Sequence, residues 1–431
     1  MRGRAFACAA VLAVLVLPTA LWAGGSAEPK ASGPVKVDFW SIWDIESNKH
    51  GKYFKGIVDE FNKANPDVVV TMSGQGGYDG LATKLEAAIL AKNIPTIAQI
   101  EESFLARFHV RAADLGKYLD KKTIDNYNPG LLRSSYANGV LKAVPINRST
   151  PILYVNVDLL QKAGLDPKGP KTWDELVQFA AKIHALGPDI YGFTGYWDTD
   201  AWYWESNLYA YGGEVVSADG TKVAFNNEKG WKIVELWQKM VRDGTMLNPY
   251  GVQEGKSGFM LAKFGDGKVG MVLDSIGSLT SLVRNPKYNI KVSSVFQPAG
   301  EKYAVVSGGA NLIVMNDSTE AQKKAAGRFL TYIAQDRIAV DYFNLSGYFP
   351  TTKSSLETPE IKQLFEQFPQ YKVPMDQMQY IHSRPWHKNW REMYIAITEE
   401  LEAALLKPDK DPKEVMAAAA ARCQKILDEN K

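Results

Sequence analysis

The chain has 431 residues, 45% hydrophobic and 23% charged, with a formal net charge of +2, and this length suits two domains. Two arginines and no acidic residue precede Ala23, which leaves 48 basic against 48 acidic side chains beyond it. So balanced a chain lacks the basic face expected of a nucleic-acid binder.

The N-terminus reads as an export signal: Arg2 and Arg4, an apolar run from Ala5 to Leu17, the breaker Pro18, then Leu21-Trp22-Ala23. Cleavage is expected after Ala23, with Gly25-Ser26-Ala27 as a competing small-x-small site, and the apolar run is too short to span a bilayer. Residues 1–23 are therefore read as a signal peptide and 24–34 as a flexible tether. Cys8 lies inside the apolar run, badly placed for lipid attachment. Once it is removed, Cys423 stands alone, no intramolecular disulfide is possible, and a small buried residue in a helix is its expected role.

Val35 to Trp40 alternates like a strand, and Tyr53, Phe54, Ile57, Val58 and Phe61 recur at helical spacing before Asn65-Pro66. Val68 to Met72 is a β-branched run suited to a buried parallel strand. A helix over 81–92 and a strand over 96–100 complete a β-α-β-α-β series, which implies a parallel sheet covered by helices. A second series opens with the strand at 152–155 and a helix announced by the capping box Thr172 to Glu175. Asp317 to Glu320 signals another helix start, and the chain from Pro359 onward reads as mostly helical. Two α/β units place functional residues in the cleft between them, on loops that follow strands.

Aromatic residues crowd the stretch from Tyr191 to Tyr211, with Asp198, Asp200 and Glu205 interleaved. Ring faces stack on the C–H faces of sugars and polyols, and carboxylates accept hydroxyl hydrogen bonds. About half of these rings belong to the core of a helix beginning near Asp200, and Trp197 and Trp202 are the expected cleft residues. Tyr380, His382, Arg384, Trp386, His387, Trp390 and Arg391 combine cations with rings, suited to an anionic group or to a solvated helix start.

Catalytic patterns fit poorly. Gly74 to Gly80 would need its third dinucleotide glycine at Asp79, and Leu273-Asp-Ser275-Ile-Gly277 lacks the first glycine of a nucleophile elbow. The five histidines are scattered without zinc-ligand spacing. Adjacent Glu101 and Glu102 cannot both face one cleft from a strand. The chain is expected to be no enzyme and to use no cofactor or metal.

From Val35 onward the sequence resembles the family 1 extracellular solute-binding proteins of bacterial ABC importers. The resemblance rests on Ala143-Val-Pro-Ile-Asn-Arg-Ser-Thr-Pro-Ile-Leu-Tyr-Val-Asn156, Lys162-Ala-Gly-Leu-Asp166 and Pro170-Lys-Thr-Trp-Asp-Glu-Leu176. Phe61-Asn-Lys-Ala-Asn-Pro66, Ser307-Gly-Gly-Ala310 and Ser346-Gly-Tyr-Phe-Pro350 follow in the family's order. It implies an α/β fold of the periplasmic-binding-protein kind, with two α/β lobes joined by a hinge and ligand in the interlobe cleft. The lobes are expected as 35–146 with 304–346, and 147–303 with 347–431.

Within the family the chain is similar to the glycerol-3-phosphate and glycerophosphodiester binders. That similarity implies ligand-binding roles for Tyr78, Glu102, Ser149, Trp197, Trp202, Ser275, Gly309 and Tyr348. The family's phosphate-binding arginine falls at Tyr394 when the chain is aligned on Glu399-Glu400-Leu401, with Arg391 one turn earlier on the same face as the candidate. Arg148 stands where the family often has a small residue, placed to compensate or to block. The expected protein is a periplasmic monomer that hands a polyol phosphate or sugar to the transmembrane subunits of an ABC permease. A neutral mono- or oligosaccharide is the rival ligand. An exported hydrolase of glycerophosphodiesters or glycans is the rival activity, and a chemoreceptor partner or adhesin the rival use.

Overall fold

The computed structural model describes residues 33–197, 201–252 and 255–429. The signal peptide, nearly all of the tether, Asp198 and Asp200 thus lie outside the described residues. Strand β1 (Val35–Ser41) buries Val37 and Phe39, with Lys36 and Asp38 facing outward beside them and half-buried Trp40 following. Asn48 caps the helix Lys49–Ala64 by accepting from the backbone N–H groups of His50 and Gly51, and Phe54, Ile57, Val58 and Phe61 form its buried stripe.

The β-branched run becomes β2 (Val68–Gly74), which is not buried on both faces as expected. It lies at the edge of its sheet, with Val68, Val70 and Met72 turned inward and Val69 37% exposed. Gly76 and Gly77 take φ of 86° and 80°, a left-handed turn that feeds the helix Gly77–Ala91. Strand β3 (Ile97–Glu101) is buried at every position. Asn138 and Gly139, both at positive φ, turn the hairpin of β4 (Tyr136–Ala137) and β5 (Val140–Leu141).

Strand β6 (Val144–Ser149) still belongs to the first sheet, and after the single residue Thr150 the chain enters the second as β7 (Pro151–Asn156). Thr172 caps the helix Trp173–His184, but Glu175 accepts from Lys171 rather than from Thr172, so half of the expected capping box forms. Strands β8 (Tyr191–Thr194), β9 (Met246–Leu247), β10 (Val269–Ser275) and β11 (Val292–Val295) complete this sheet in the order β11-β7-β10-β8-β9. After β12 (Val305–Val306), strand β13 (Gly308–Val314) returns to the first sheet, whose order is β2-β1-β3-β13-β6.

The next helix, Glu320–Ile333, is capped two residues later than expected. Thr319 and Gln322 form the reciprocal box while Asp317 turns to Arg111. The C-terminal helices Pro359–Gln367, Lys372–Gln377, Trp390–Leu406 and Pro412–Asp428 are interrupted by β14 (Ile381–His382), which pairs with β12, and by an irregular stretch at 383–389. Cys423 is buried, and burial pushes its thiol up to about 12.

Each sheet is mixed. β1, β2 and β3 run parallel, and β13 is antiparallel to β3 and β6. In the second sheet β8, β9 and β10 are parallel, with β7 antiparallel to β10 and β11. The C-terminal end of β3 therefore shares an edge with the start of β13, and Ser275 at the end of β10 lies opposite Pro151. Because Thr150 alone separates Ser149 from Pro151, these two edges meet at one cleft, where α/β sheets bind ligands.

Candidate functional site

A cavity of about 160 Å³ occupies that cleft. The first sheet contributes Tyr78, Asp79, Glu101, Phe104, Ser149, Gly308 and Gly309, and the second contributes Tyr196, Trp202, Tyr203 and Ser275. Tyr348 and Tyr394 close it from the C-terminal part of the chain.

The first-sheet wall is held by a chain of buried amides. Ser41 donates to Gln99, whose amide donates to Asn147 at 2.9 Å, and Asn147 donates to the Tyr78 hydroxyl at 3.0 Å. Two glycines make room beside it. A β-carbon on Gly308 would come within 2.8 Å of the Trp202 indole, and one on Gly309, where φ is 87°, would sit 1.7 Å from the Asn147 carbonyl oxygen. Only glycine lets the indole lie against the start of β13.

Trp202 opens the helix Trp202–Ala210, which is buried at all nine positions. Behind it Tyr203 donates to Asp274 at 2.8 Å, and Asp274 also accepts from the Ser275 N–H and the Ser278 hydroxyl. Burial raises the Asp274 carboxyl above its ordinary range, and these three hydrogen bonds oppose the rise. Tyr154 donates to the Ser275 carbonyl at 2.7 Å, so the Ser275 backbone is fixed from two sides. Its hydroxyl accepts from the Gly277 N–H and keeps its own hydrogen for the cavity. The Trp202 indole N–H has no hydrogen-bond partner among the described residues, and Ser149 lines the cavity beside it, both side chains being over nine-tenths buried. A small cavity that gathers such donors suits a ligand rich in oxygen acceptors.

The structure separates residues that the sequence grouped. Tyr78, Ser149, Trp202, Ser275, Gly309 and Tyr348 are brought together at the cavity. Trp197 lies apart in the core, fully buried and stacked on Trp237 at 4.4 Å, with its backbone N–H on the Tyr250 hydroxyl. Glu102 faces away from this cavity and pairs with Arg148. Neighbouring Glu101 and Glu102 point to opposite sides, and the one on the cavity is Glu101, the last residue of β3.

Arg148 is fully buried and already committed. It donates to the Gly308 and Leu131 carbonyls, Ser134, Asn311 and Ser307, besides its pairing with Glu102. Arg391 stands outside the cavity, its guanidinium on Asp79. Tyr394, one turn on, does line the cavity and donates to the same Asp79 oxygen at 2.8 Å.

The cation nearest to Glu101 in the fold was present only in the second aromatic-basic group of the sequence. Arg384, 3% exposed, donates to Glu101 at 3.1 Å and to Glu205 at 2.9 Å, tying the end of β3 to the helix of the second sheet. Burial raises Glu205 to about 7, with Arg384 and Tyr209 opposing. A folded carboxyl titrating above its unfolded value of 4.5 contributes stability at acid pH that is lost as pH rises toward 7. Urea unfolding from pH 4.5 to 7.5 should show this loss, and Glu205→Gln should flatten it. An unchanged slope in the variant would contradict the assignment.

Residues 56–369 match a family model described as bacterial extracellular solute-binding protein. The chain is 28% identical over 422 residues to the sn-glycerol-3-phosphate-binding periplasmic protein UgpB of Pectobacterium atrosepticum, covering 92% of each chain. It is 27% identical over 438 residues to the protein of the same name from Escherichia coli O1:K1, covering 95% of this chain and 96% of the relative. Among solved structures, UgpB from Mycobacterium tuberculosis in complex with glycerophosphocholine superposes with a TM-score of 0.78 at 20% identity, covering 92% and 99%. Maltose-bound MalE3 of T. maritima superposes at 0.79 and 22% identity, covering 91% and 100%. These likenesses show the fold of two α/β lobes shared by periplasmic binding proteins.

Proposed function

The chain belongs to the bacterial extracellular solute-binding protein family, and from that premise we propose that the cavity at Trp202 captures glycerol-3-phosphate or the glycerol-phosphate end of a glycerophosphodiester. The substrate-binding component of an ABC importer is the role the family gives it. The chain then works outside the cytoplasmic membrane, binds its solute without chemistry and delivers it to a permease. The curated relatives named above supply the ligand class.

The observation that carries this reading is the meeting of the Trp202 ring, Ser149 and the Ser275 hydroxyl on one cavity of about 160 Å³. A glycerol phosphate matches that volume and offers acceptor oxygens to both serine hydroxyls, while Tyr348 and Trp202 give its carbons apolar faces. We assign these roles to Tyr78, Ser149, Trp202, Ser275, Gly309 and Tyr348, with Glu101 beside them. Glu102 and Trp197 act behind the wall, and Arg391 orients Asp79.

We further propose that Thr150 and Ser307 mark crossings between lobes, since β6 and β13 belong to one sheet and β7 to the other. The bonds of Arg384 to Glu101 and Glu205 span the two sheets, so they favour closure before ligand arrives. Ligand adds its own preference for the closed state, a shift in population.

A thermal-unfolding titration of the secreted chain tests the ligand. Glycerol-3-phosphate should stabilise it by about 2.7 kcal/mol at roughly 100 times its dissociation constant. Stabilisation by neutral oligosaccharides with none by the phosphate would replace this reading with the saccharide one. Turnover of a glycerophosphodiester on long incubation would replace it with a hydrolase.

A further inference from the structure

The helix Trp390–Leu406 is anchored by one end to the second sheet and reaches the first with the other. Near its C-terminus the Leu405 carbonyl accepts from Asn248, just beyond β9, at 2.8 Å, and the Ala404 carbonyl accepts from Gln238 on the helix Glu228–Arg242 at 3.3 Å. Its N-terminal turn lies on elements of the first sheet. Tyr394 stacks on Phe104 at 6.3 Å with the rings 6° from parallel, and Arg391 and Tyr394 donate to Asp79. Asp79 and Glu86, two turns apart on the helix Gly77–Ala91, share the face that receives this turn.

Arg107 completes the contact from outside the cavity of about 160 Å³, which it does not line. It sits on the short helix Leu105–Phe108 beyond β3, and both sides share its guanidinium: Nη1 donates to Glu86 at 2.6 Å, Nε to the Lys388 carbonyl at 2.8 Å, and Nη2 to Glu392. We propose that Arg107 is a positioning residue for solute binding, a charge clamp that joins the two lobes when they are closed and sets how tightly a solute is held without touching it. This rests on the cavity being the solute site and on the lobes parting to admit solute, whichever solute that is.

Three observations favour a clamp over a fixed structural bridge. Glu86 belongs to the same side as Arg107, so it holds the guanidinium aimed across the cleft before the lobes meet, and less side-chain freedom is lost on closing. Arg148 and Arg384 are 0% and 3% exposed, whereas Arg107 is 22% exposed and its partners Glu86 and Glu392 are 40% and 42%. Water can therefore replace its partners at little cost, which suits a contact that breaks and re-forms. The second Glu392 oxygen is buried without a hydrogen-bond partner among the described residues, a cost that opening relieves. The clamp is thereby weaker than its three bonds suggest, and solute still decides closure.

Titration of the secreted chain with glycerol-3-phosphate and with glycerophosphocholine, beside small-angle scattering of the chain without solute, tests this. Arg107→Ala should raise both dissociation constants about fivefold and leave their ratio within about twofold, because the step lost is the closing that both solutes share. The loss should fall on the dissociation rate, and the free variant should scatter as a more open chain. Glu392→Gln, which keeps the side-chain shape, should reproduce most of the effect, and adding it to Arg107→Ala should cost less than about twofold more. Unchanged constants in both single variants would overturn the inference. So would a shifted ratio, which would put Arg107 on the solute, or an affinity loss matched by a lower urea midpoint, which would make its role structural. Raised constants support the clamp whether or not the free chain expands. If neither compound binds, the glycerol-phosphate reading of the cavity fails by itself, and the absence of any expansion in Arg107→Ala would then overturn the clamp as well.

Discussion

Arg148→Met should lower the free energy of unfolding by about 3–5 kcal/mol, because it strips a buried carboxylate of its counter-charge. The guanidinium is fully buried and meets Glu102, Ser307, Asn311, Ser134 and the carbonyls of Leu131 and Gly308. Methionine fills much of the space but leaves the Glu102 charge and several acceptors unsatisfied, each costing about 1–3 kcal/mol. Adding Glu102→Gln removes the stranded charge and should restore part of the loss, so the double variant is more stable than Arg148→Met alone. Urea titrations of the three variants read this directly. A cost below about 1 kcal/mol for Arg148→Met would show that the pair is not structural, and would reopen Arg148 as a ligand group.

The second large effect separates two tryptophans that the sequence treats alike. Trp202→Ala should weaken glycerol-3-phosphate binding by about 30-fold, from a lost apolar ring face worth about 2 kcal/mol. Trp202 lines the cavity with its N–H unpartnered, so the loss falls on binding, with stability changing less. Trp197→Ala should do the reverse. Its ring is fully buried against Trp237, and removal opens a core cavity costing about 3–5 kcal/mol. The dissociation constant of the protein that still folds should then stay within a few-fold. Calorimetric titration and urea unfolding of both variants decide the matter, and equal binding losses would mean that Trp197 also reaches the ligand.

Much of the fold was legible because its signals are local. Alternation at Val35 to Trp40, the helical stripe from Phe54 to Phe61 and the break at Asn65-Pro66 all depend on neighbours within a few residues, and the elements stand where they were expected. The exceptions have local competitors. Thr319 with Gln322 displaced Asp317 as the cap, and a β-branched run could not announce that β2 would sit at a sheet edge. The site was harder. Motif likeness brought Tyr78, Ser149, Ser275, Gly309 and Tyr348 to one place, but it chose Glu102 where β3 delivers Glu101, and it offered no reason to single out Arg384.

By itself the sequence determined that this chain alternates strands and helices in two series and concentrates rings around Trp202. Those properties follow from backbone sterics and short-range periodicity. Only the tertiary structure decided which tryptophan reaches the cavity, which glutamate faces it, and that Arg148, Arg384 and Arg391 are already paired. A charge or ring is useful to a ligand only where burial and partners leave it so, and those are set by residues distant in the chain, such as Ser307 for Glu102 and Arg384 for Glu101.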